Sequence, residues 1–202
     1  MTDTSLILAS ASPYRAAILK DLGLSFSQVP ADIDESPLKD EPPTALAERL
    51  GLEKARKVAS TLDPAESWLV IGSDQVCHHN GQVYGKPGDR THAMEHLSTF
   101  SGNSVTFSTS LALVTADGRE LSLVEDYECR FRNLTRAEIE QYLDLDEPWD
   151  CAGAIRIEKS AALLMESTRG RDVNALVGIP VMALREALAE LGHDIFSFIN
   201  PS

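Results

Sequence analysis

The chain has 202 residues, 43% hydrophobic and 24% charged, which suits one large or two small packed domains and excludes a disordered or fibrous protein. Eighteen Lys and Arg against thirty-one Asp and Glu leave a net charge of −13. Such a surface repels polyphosphate chains, which argues against a passive DNA or RNA coat, and a small anionic ligand needs its cationic contacts gathered in one place.

Cys77, Cys129 and Cys151 are far apart and form no C-x-x-C, so neither a disulfide framework nor a zinc knuckle is indicated. They are expected to pack as buried thiols. Residues 1–10 carry no basic stretch, and the run Leu6-Ile7-Leu8-Ala9 is too short for a signal peptide. Nothing approaches the roughly 20 apolar residues of a membrane span. The expectation is a soluble, cytoplasmic protein with no membrane partner.

Apolar segments of period two and period 3.6 alternate, which predicts an α/β fold. Residues 5–9 read as a buried strand, followed by a helix to residue 22 with Ser12 as N-cap, Pro13 in the first turn and Gly23 as terminator. Residues 42–62 read as a second helix, 68–77 as a buried strand interrupted by Ser73-Asp74-Gln75, and 89–100 as a third helix. His78-His79 are expected in a turn before Asn80-Gly81. Residues 105–114 and 121–131 flank Asp117-Gly118, a hairpin signal. Thr135-x-x-Glu138 is a capping box opening a helix through residue 143. Residues 152–158 and 161–166 read as two further strands, and 180–191 as a terminal helix stopped by Gly192. The expected architecture is a mixed twisted sheet flanked by helices, in two lobes around a deep cleft, with residues 1–202 as one unit.

Three groups could carry chemistry. Ser10-Ala11-Ser12-Pro13-Tyr14-Arg15 is a strand-to-helix turn, where unpaired N–H groups, the helix dipole and Arg15 attract phosphate or carboxylate. By itself it reads equally as a capped helix with a surface arginine. Asp74, at the end of an apolar strand, is a candidate base or metal ligand lining a cleft, or else the cap of the following turn. Lys86 sits in Gly85-Lys86-Pro87, a backbone able to aim a side chain; Lys54 and Glu35 by themselves suit solvated surfaces. His92 and His96 are spaced as a metal pair but lack a third ligand. No G-x-S-x-G, G-x-x-x-x-G-K-[ST] or G-x-G-x-x-G occurs.

Together, Leu6-Ile7-Leu8-Ala9-Ser10-Ala11-Ser12-Pro13-Tyr14-Arg15, Gly72-Ser73-Asp74-Gln75-Val76, Gly85-Lys86-Pro87, Asp150-Cys151-Ala152-Gly153-Ala154 and Asn174-Ala175-Leu176-Val177-Gly178-Ile179-Pro180 resemble the successive motifs of the Maf-like nucleotide pyrophosphatases, in the family's order. The resemblance implies an α/β fold around a deep cleft, a small-molecule nucleotide substrate, and hydrolysis of a nucleoside triphosphate to its monophosphate and pyrophosphate with a divalent cation, Mg²⁺ or Mn²⁺. It implies Asp74 as the general base, Ser10, Arg15, Lys54 and Lys86 as holders of the triphosphate, and Glu35 with Asp74 at the metal. A homodimer is a further family expectation, for which the 105–131 hairpin offers one surface.

Three positions resemble the branch of that family acting on 7-methyl-GTP: Tyr14 in place of a second arginine, Gln75 in place of threonine, and Glu158 in place of glutamine. The chemistry agrees. N7-methylation makes guanine a cation, which favours an aromatic face and a carboxylate, while Tyr14 replaces a cation that would repel it. The alternatives are the dTTP/UTP-hydrolysing branch of the same family and a nucleotide-sensing regulator of cell division.

Overall fold

The computed structural model describes residues 4–199. Residues 1–3 and 200–202, the ends of the expected 1–202 unit, lie outside the described residues. Among those described, no helix is long and apolar enough to cross a membrane.

Leu6, Ile7 and Leu8 are all buried, so β1 (Ser5–Leu8) is covered on both faces, as a continuous apolar run requires. It pairs in parallel with β2 (Ser27–Gln28) and β3 (Trp68–Gly72). Between β1 and β2 runs α1 (Pro13–Asp21), capped by Ser12, whose hydroxyl accepts the Arg15 N–H; Gly23 follows it at φ 74°. The parallel crossover from β2 to β3 is α2 (Pro43–Ala59).

The break foreseen at Ser73-Asp74-Gln75 divides one line of chain into β3 and β4 (Gln75–His79). Both pair antiparallel with β6 (Ser104–Thr115), Gly72 opposite Ala112 and Gln75 opposite Thr109, so the register runs through the break unchanged. Asn80 and Gly81, with φ of 49° and 79°, turn the chain into β5 (Gln82–Tyr84). His78 and His79 lie in β4 rather than in the turn. There His78 Nε2 lies 2.9 Å from Ser108 Oγ, and His79 Nδ1 lies 2.7 Å from the Ser104 carbonyl.

After α3 (Arg90–Phe100), β6 and β7 (Glu120–Phe131) form the foreseen long hairpin. The Thr135–Glu138 capping box opens α4 (Arg136–Asp146). The chain continues through β8 (Met165–Arg169), α5 (Asn174–Val177) and α6 (Val181–Glu190), with β8 antiparallel to β7.

The two strands expected at 152–158 and 161–166 are corrected. Ala152–Ala154 and Ala161–Leu164 are 3₁₀ turns, and only the end of the second segment joins the sheet, in β8. Gly153 and Ala154 have φ of 63° and 60°, which no strand accommodates. The Ala154 carbonyl and the Arg156 N–H bond to the Tyr142 hydroxyl instead of to a ladder. The apolar residues that suggested strands, Ala154, Ile155, Ala161 and Leu164, pack against α3 and α4.

The strand period of two places helices on both faces of the sheet. Leu6, Leu8, Leu69, Ile71, Leu111 and Leu113 pack with α1 and α6, whereas Ile7, Val70, Ala112 and Val114 pack with α2. Farther along the sheet, Cys77, Val105, Phe107, Cys129 and Phe131 form a second centre with α3 and α4. The fold is a mixed sheet flanked by helices, with lobes either side of a cleft at the Ser73-Asp74 break.

Candidate active site

A cleft of about 560 Å³ is lined by all nine residues singled out in the sequence: Ser10, Tyr14, Arg15, Glu35, Lys54, Asp74, Gln75, Lys86 and Glu158. One end sets Arg15, Lys54 and Lys86 against Glu35 and Asp74, and the other sets Asp150 and Glu158 against Arg156, so the first is net cationic and the second net anionic.

Two glycines bring Lys54 to Asp74. A Cβ on Gly72 would fall 2.1 Å from the Gly51 carbonyl oxygen and 2.8 Å from Ala55 Cβ, so the backbone of α2 lies directly on β3. Lys54, one turn beyond Gly51, thus reaches the strand break. Its Nζ lies 2.6 Å from both Asp74 Oδ1 and Glu35 Oε1. Lys54 is 7% exposed, which corrects the solvated-surface reading, and a buried ammonium needs such partners. The Asp74 backbone N–H donates to Ser110 Oγ at 2.9 Å, and the Ser110 N–H donates to the Asp74 carbonyl at 2.8 Å. Asp74 Oδ2 takes no hydrogen bond from the described residues. Glu35, more exposed, stands at the mouth. Partial burial pushes its carboxyl up, but the Lys54 ammonium, with Lys86 and Arg15, outweighs this and holds it below the usual carboxylate range.

Arg15 projects from the first turn of α1. Its Nε donates to the Gly178 carbonyl at 3.1 Å and its Nη1 to Ser10 Oγ at 3.4 Å. The same carbonyl accepts the Ser73 hydroxyl at 2.7 Å, so the strand break and α1 share one anchor. Gly178 has φ 123°, and a Cβ there would lie 3.0 Å from Arg15 Nε. Burial draws the Arg15 guanidinium below its usual range, opposed by Asp74 and Glu35. Lys86 is exposed at the rim. Its loop is fixed by the Gly153 N–H donating to the Gly85 carbonyl at 3.1 Å and the Gly88 N–H donating to the Trp149 carbonyl at 2.9 Å.

At the opposite end, the Tyr14 hydroxyl accepts from Arg156 Nη2 at 2.6 Å and donates to Asp150 Oδ2 at 3.4 Å. Arg156 Cζ lies 5.8 Å from the Tyr14 ring centroid, and Arg156 Nε lies 3.7 Å from Glu158 Oε1. Tyr14 therefore does not clear cationic charge from this end, but one guanidinium meets two carboxylates, Asp150 and Glu158. The Gln75 amide donates to the Ala175 and Leu176 carbonyls at 2.8 and 3.0 Å, tying β4 to α5.

Sequence reasoning missed Arg156, Asp150 and the Gly178 carbonyl. The first had a signal in the opposite charges of Arg156-x-Glu158, and the second in its place before Cys151. Cys77 and Cys129 are buried as expected, but Cys151 is partly exposed in the cleft wall, and burial pushes its thiol up to about 11. Such a thiol is a poor nucleophile at neutral pH.

For a divalent cation, no group of three or more His, Cys, Asp or Glu side chains that could hold a metal occurs among the described residues. Glu35 and Asp74 nonetheless lie on either side of the Lys54 ammonium, which contacts one oxygen of each, and both keep further lone pairs as hard oxygen donors. Two carboxylates completed by substrate phosphates and water is a donor set that suits Mg²⁺.

A mixed α/β sheet with a cleft at a strand break, net cationic at one end and net anionic at the other, defines an α/β protein built around a polar small-molecule site. The family model described as Maf-like protein matches residues 5–191, and the chain belongs to that family. A "7-methyl-GTP pyrophosphatase" of Alcanivorax borkumensis is 45% identical over 195 residues, covering 95% of this chain and 98% of the relative. Proteins of that same name from Nitrosococcus oceani and Xanthomonas oryzae are 43% and 45% identical, each across at least 94% of this chain and 95% of the relative.

Proposed function

We propose that the protein hydrolyses 7-methyl-GTP to 7-methyl-GMP and pyrophosphate, as one Maf-like unit acting in the cytoplasm. The observation that carries this reading is the polarity of the cleft. Arg15, Lys54 and Lys86 outnumber Asp74 and Glu35 at one end, whereas Asp150 and Glu158 outnumber Arg156 at the end that holds Tyr14. A triphosphate with a cationic base has the complementary polarity, and the names of the relatives agree with it.

Asp74 is the general base. Lys54 fixes Oδ1, leaving Oδ2 to take a proton from water as its oxygen bonds to the α-phosphorus. The bond from that phosphorus to the α–β bridging oxygen breaks, and pyrophosphate departs with the electron pair. Arg15 and Lys86 neutralise the non-bridging oxygens, and Ser10 adds a hydroxyl beside Arg15. Glu35 and Asp74 would hold the divalent cation, which supplies further positive charge to the phosphates. At the other end the methylated base stacks on Tyr14, and its N1–H and amino edge donates to Glu158. Stacking a cation on an aromatic face contributes roughly 0.5–2 kcal/mol. Gln75 acts through the backbone of α5, which forms the floor of the cleft.

Hydrolysis in ¹⁸O-water tests the reaction. Label in 7-methyl-GMP and none in pyrophosphate is the expected result, with turnover lost on chelation and restored by Mg²⁺ or Mn²⁺. Label in pyrophosphate, or release of orthophosphate, would refute attack at the α-phosphorus.

A further inference from the structure

The base end of the cleft holds a half-buried cation to which no role has been given. Arg156 Nη1 donates to the Asp146 carbonyl at the last residue of α4, at 2.8 Å. Its Nη2 reaches both the Tyr14 hydroxyl, at 2.6 Å, and Asp150 Oδ1, at 3.3 Å. The arginine's own N–H donates to the Tyr142 hydroxyl at 3.0 Å, so it is pinned at backbone and guanidinium alike. Its side chain is only 16% exposed. Its Nε is buried with no hydrogen-bond partner among the described residues, and Glu158 Oε1 stands 3.7 Å from it.

The contact also crosses the cleft. Tyr14 belongs to α1, which packs into the first lobe, whereas Arg156 hangs from α4 in the second, 142 residues away in the chain. A tyrosine ring on a helix surface otherwise turns about its side-chain bonds, and Asp150 and Glu158 otherwise repel. One guanidinium prevents both.

We propose that Arg156 is a positioning residue for base selectivity, holding Tyr14 and Glu158 in the arrangement that receives the methylated guanine. The inference rests on the functional reading above. Arg156 does not stack on the base or touch the phosphates; it acts through the Tyr14 hydroxyl and the Glu158 carboxylate. Since Tyr14→Phe keeps the ring and deletes only the oxygen that Arg156 grips, the two residues should depend on each other.

The test is a double-mutant cycle of Arg156→Gln and Tyr14→Phe, read as the ratio of kcat/KM for 7-methyl-GTP to that for GTP, with thermal melts to confirm folding. Each single variant should lower the ratio about tenfold, mainly through KM for 7-methyl-GTP, as losing a charge-assisted hydrogen bond implies. The double variant should be no worse than Arg156→Gln alone, and Arg156→Lys should recover part of the loss. If Arg156→Gln does not fold, Tyr14→Phe must reproduce the drop by itself. A ratio within twofold of the wild type, an equal loss for every nucleotide, or additive effects would overturn the proposal. A wild-type enzyme that prefers another nucleotide refutes the functional reading instead, and the same cycle on that nucleotide then decides the role of Arg156.

Discussion

The Lys54 ammonium and the Asp74 carboxylate, 20 residues apart in the chain, meet at 2.6 Å in the cleft. Glu35 lies at the same distance from that ammonium, so one cation separates two carboxylates. Replacing Lys54 by Met leaves both carboxylates without their shared partner and one of them buried. The variant should lose about 3 kcal/mol of stability, the order found when one member of a buried pair is removed. It should also lose turnover, since Asp74 is no longer held. Urea unfolding and a pyrophosphate-release assay check the two effects; an unchanged midpoint would contradict the structural half.

The approach of α2 to β3 depends on Gly72. A methyl group there would fall 2.1 Å from the Gly51 carbonyl oxygen, which is backbone and cannot swing aside. Gly72→Ala should destabilise by about 1–3 kcal/mol or more, the range for overpacking, and should lower kcat by moving Lys54 off Asp74. A variant of wild-type stability would show that the helix sits farther away than described.

Glu158 carries the selectivity in this account. Glu158→Gln keeps the shape and removes the charge that faces a cationic base. The preference for 7-methyl-GTP over GTP should fall about tenfold, the equivalent of roughly 1.4 kcal/mol. Unchanged selectivity would show that the carboxylate does not read the base.

How far the site was legible depended on whether its geometry was local. The two ends of α1 were, because Ser12, Pro13 and Gly23 act within one turn of their own positions, and so was the hairpin at Asp117-Gly118. The Lys54–Asp74 pair was not. By its helix neighbours Arg49, Arg56 and Lys57, Lys54 reads as surface, and only the close approach allowed by Gly51 and Gly72 buries it. The 152–158 segment failed for a different reason. Its apolar residues are buried by α3 and α4 in a turn fixed by the Tyr142 hydroxyl, a contact with no sequence period. Misreading it as a strand hid the position of Arg156.

A pH effect follows from Glu41, which Arg49 grips at 2.7 and 2.9 Å while the Leu38 N–H donates to it at 2.9 Å. The Arg49 hydrogen bonds hold its carboxyl at about 2 against the usual 4.5. A lowered value means stability that is fully present above the unfolded value and is lost as pH falls through the folded one. The stability difference between wild type and Glu41→Gln should therefore be constant above about pH 5 and shrink steadily below it. A difference that stays constant to pH 3, measured by urea titration, would contradict the pairing.

The most direct test of the central claim is a substrate panel with 7-methyl-GTP, GTP, UTP and dTTP, measuring monophosphate and pyrophosphate with Mg²⁺ or Mn²⁺ and using Asp74→Asn as control. The account predicts preferential release of 7-methyl-GMP, lowered about 10²–10⁴-fold in the Asp74→Asn variant, the usual contribution of a general base. Preferential turnover of UTP or dTTP would contradict the roles given to Tyr14 and Glu158, and full activity in Asp74→Asn would contradict the mechanism itself.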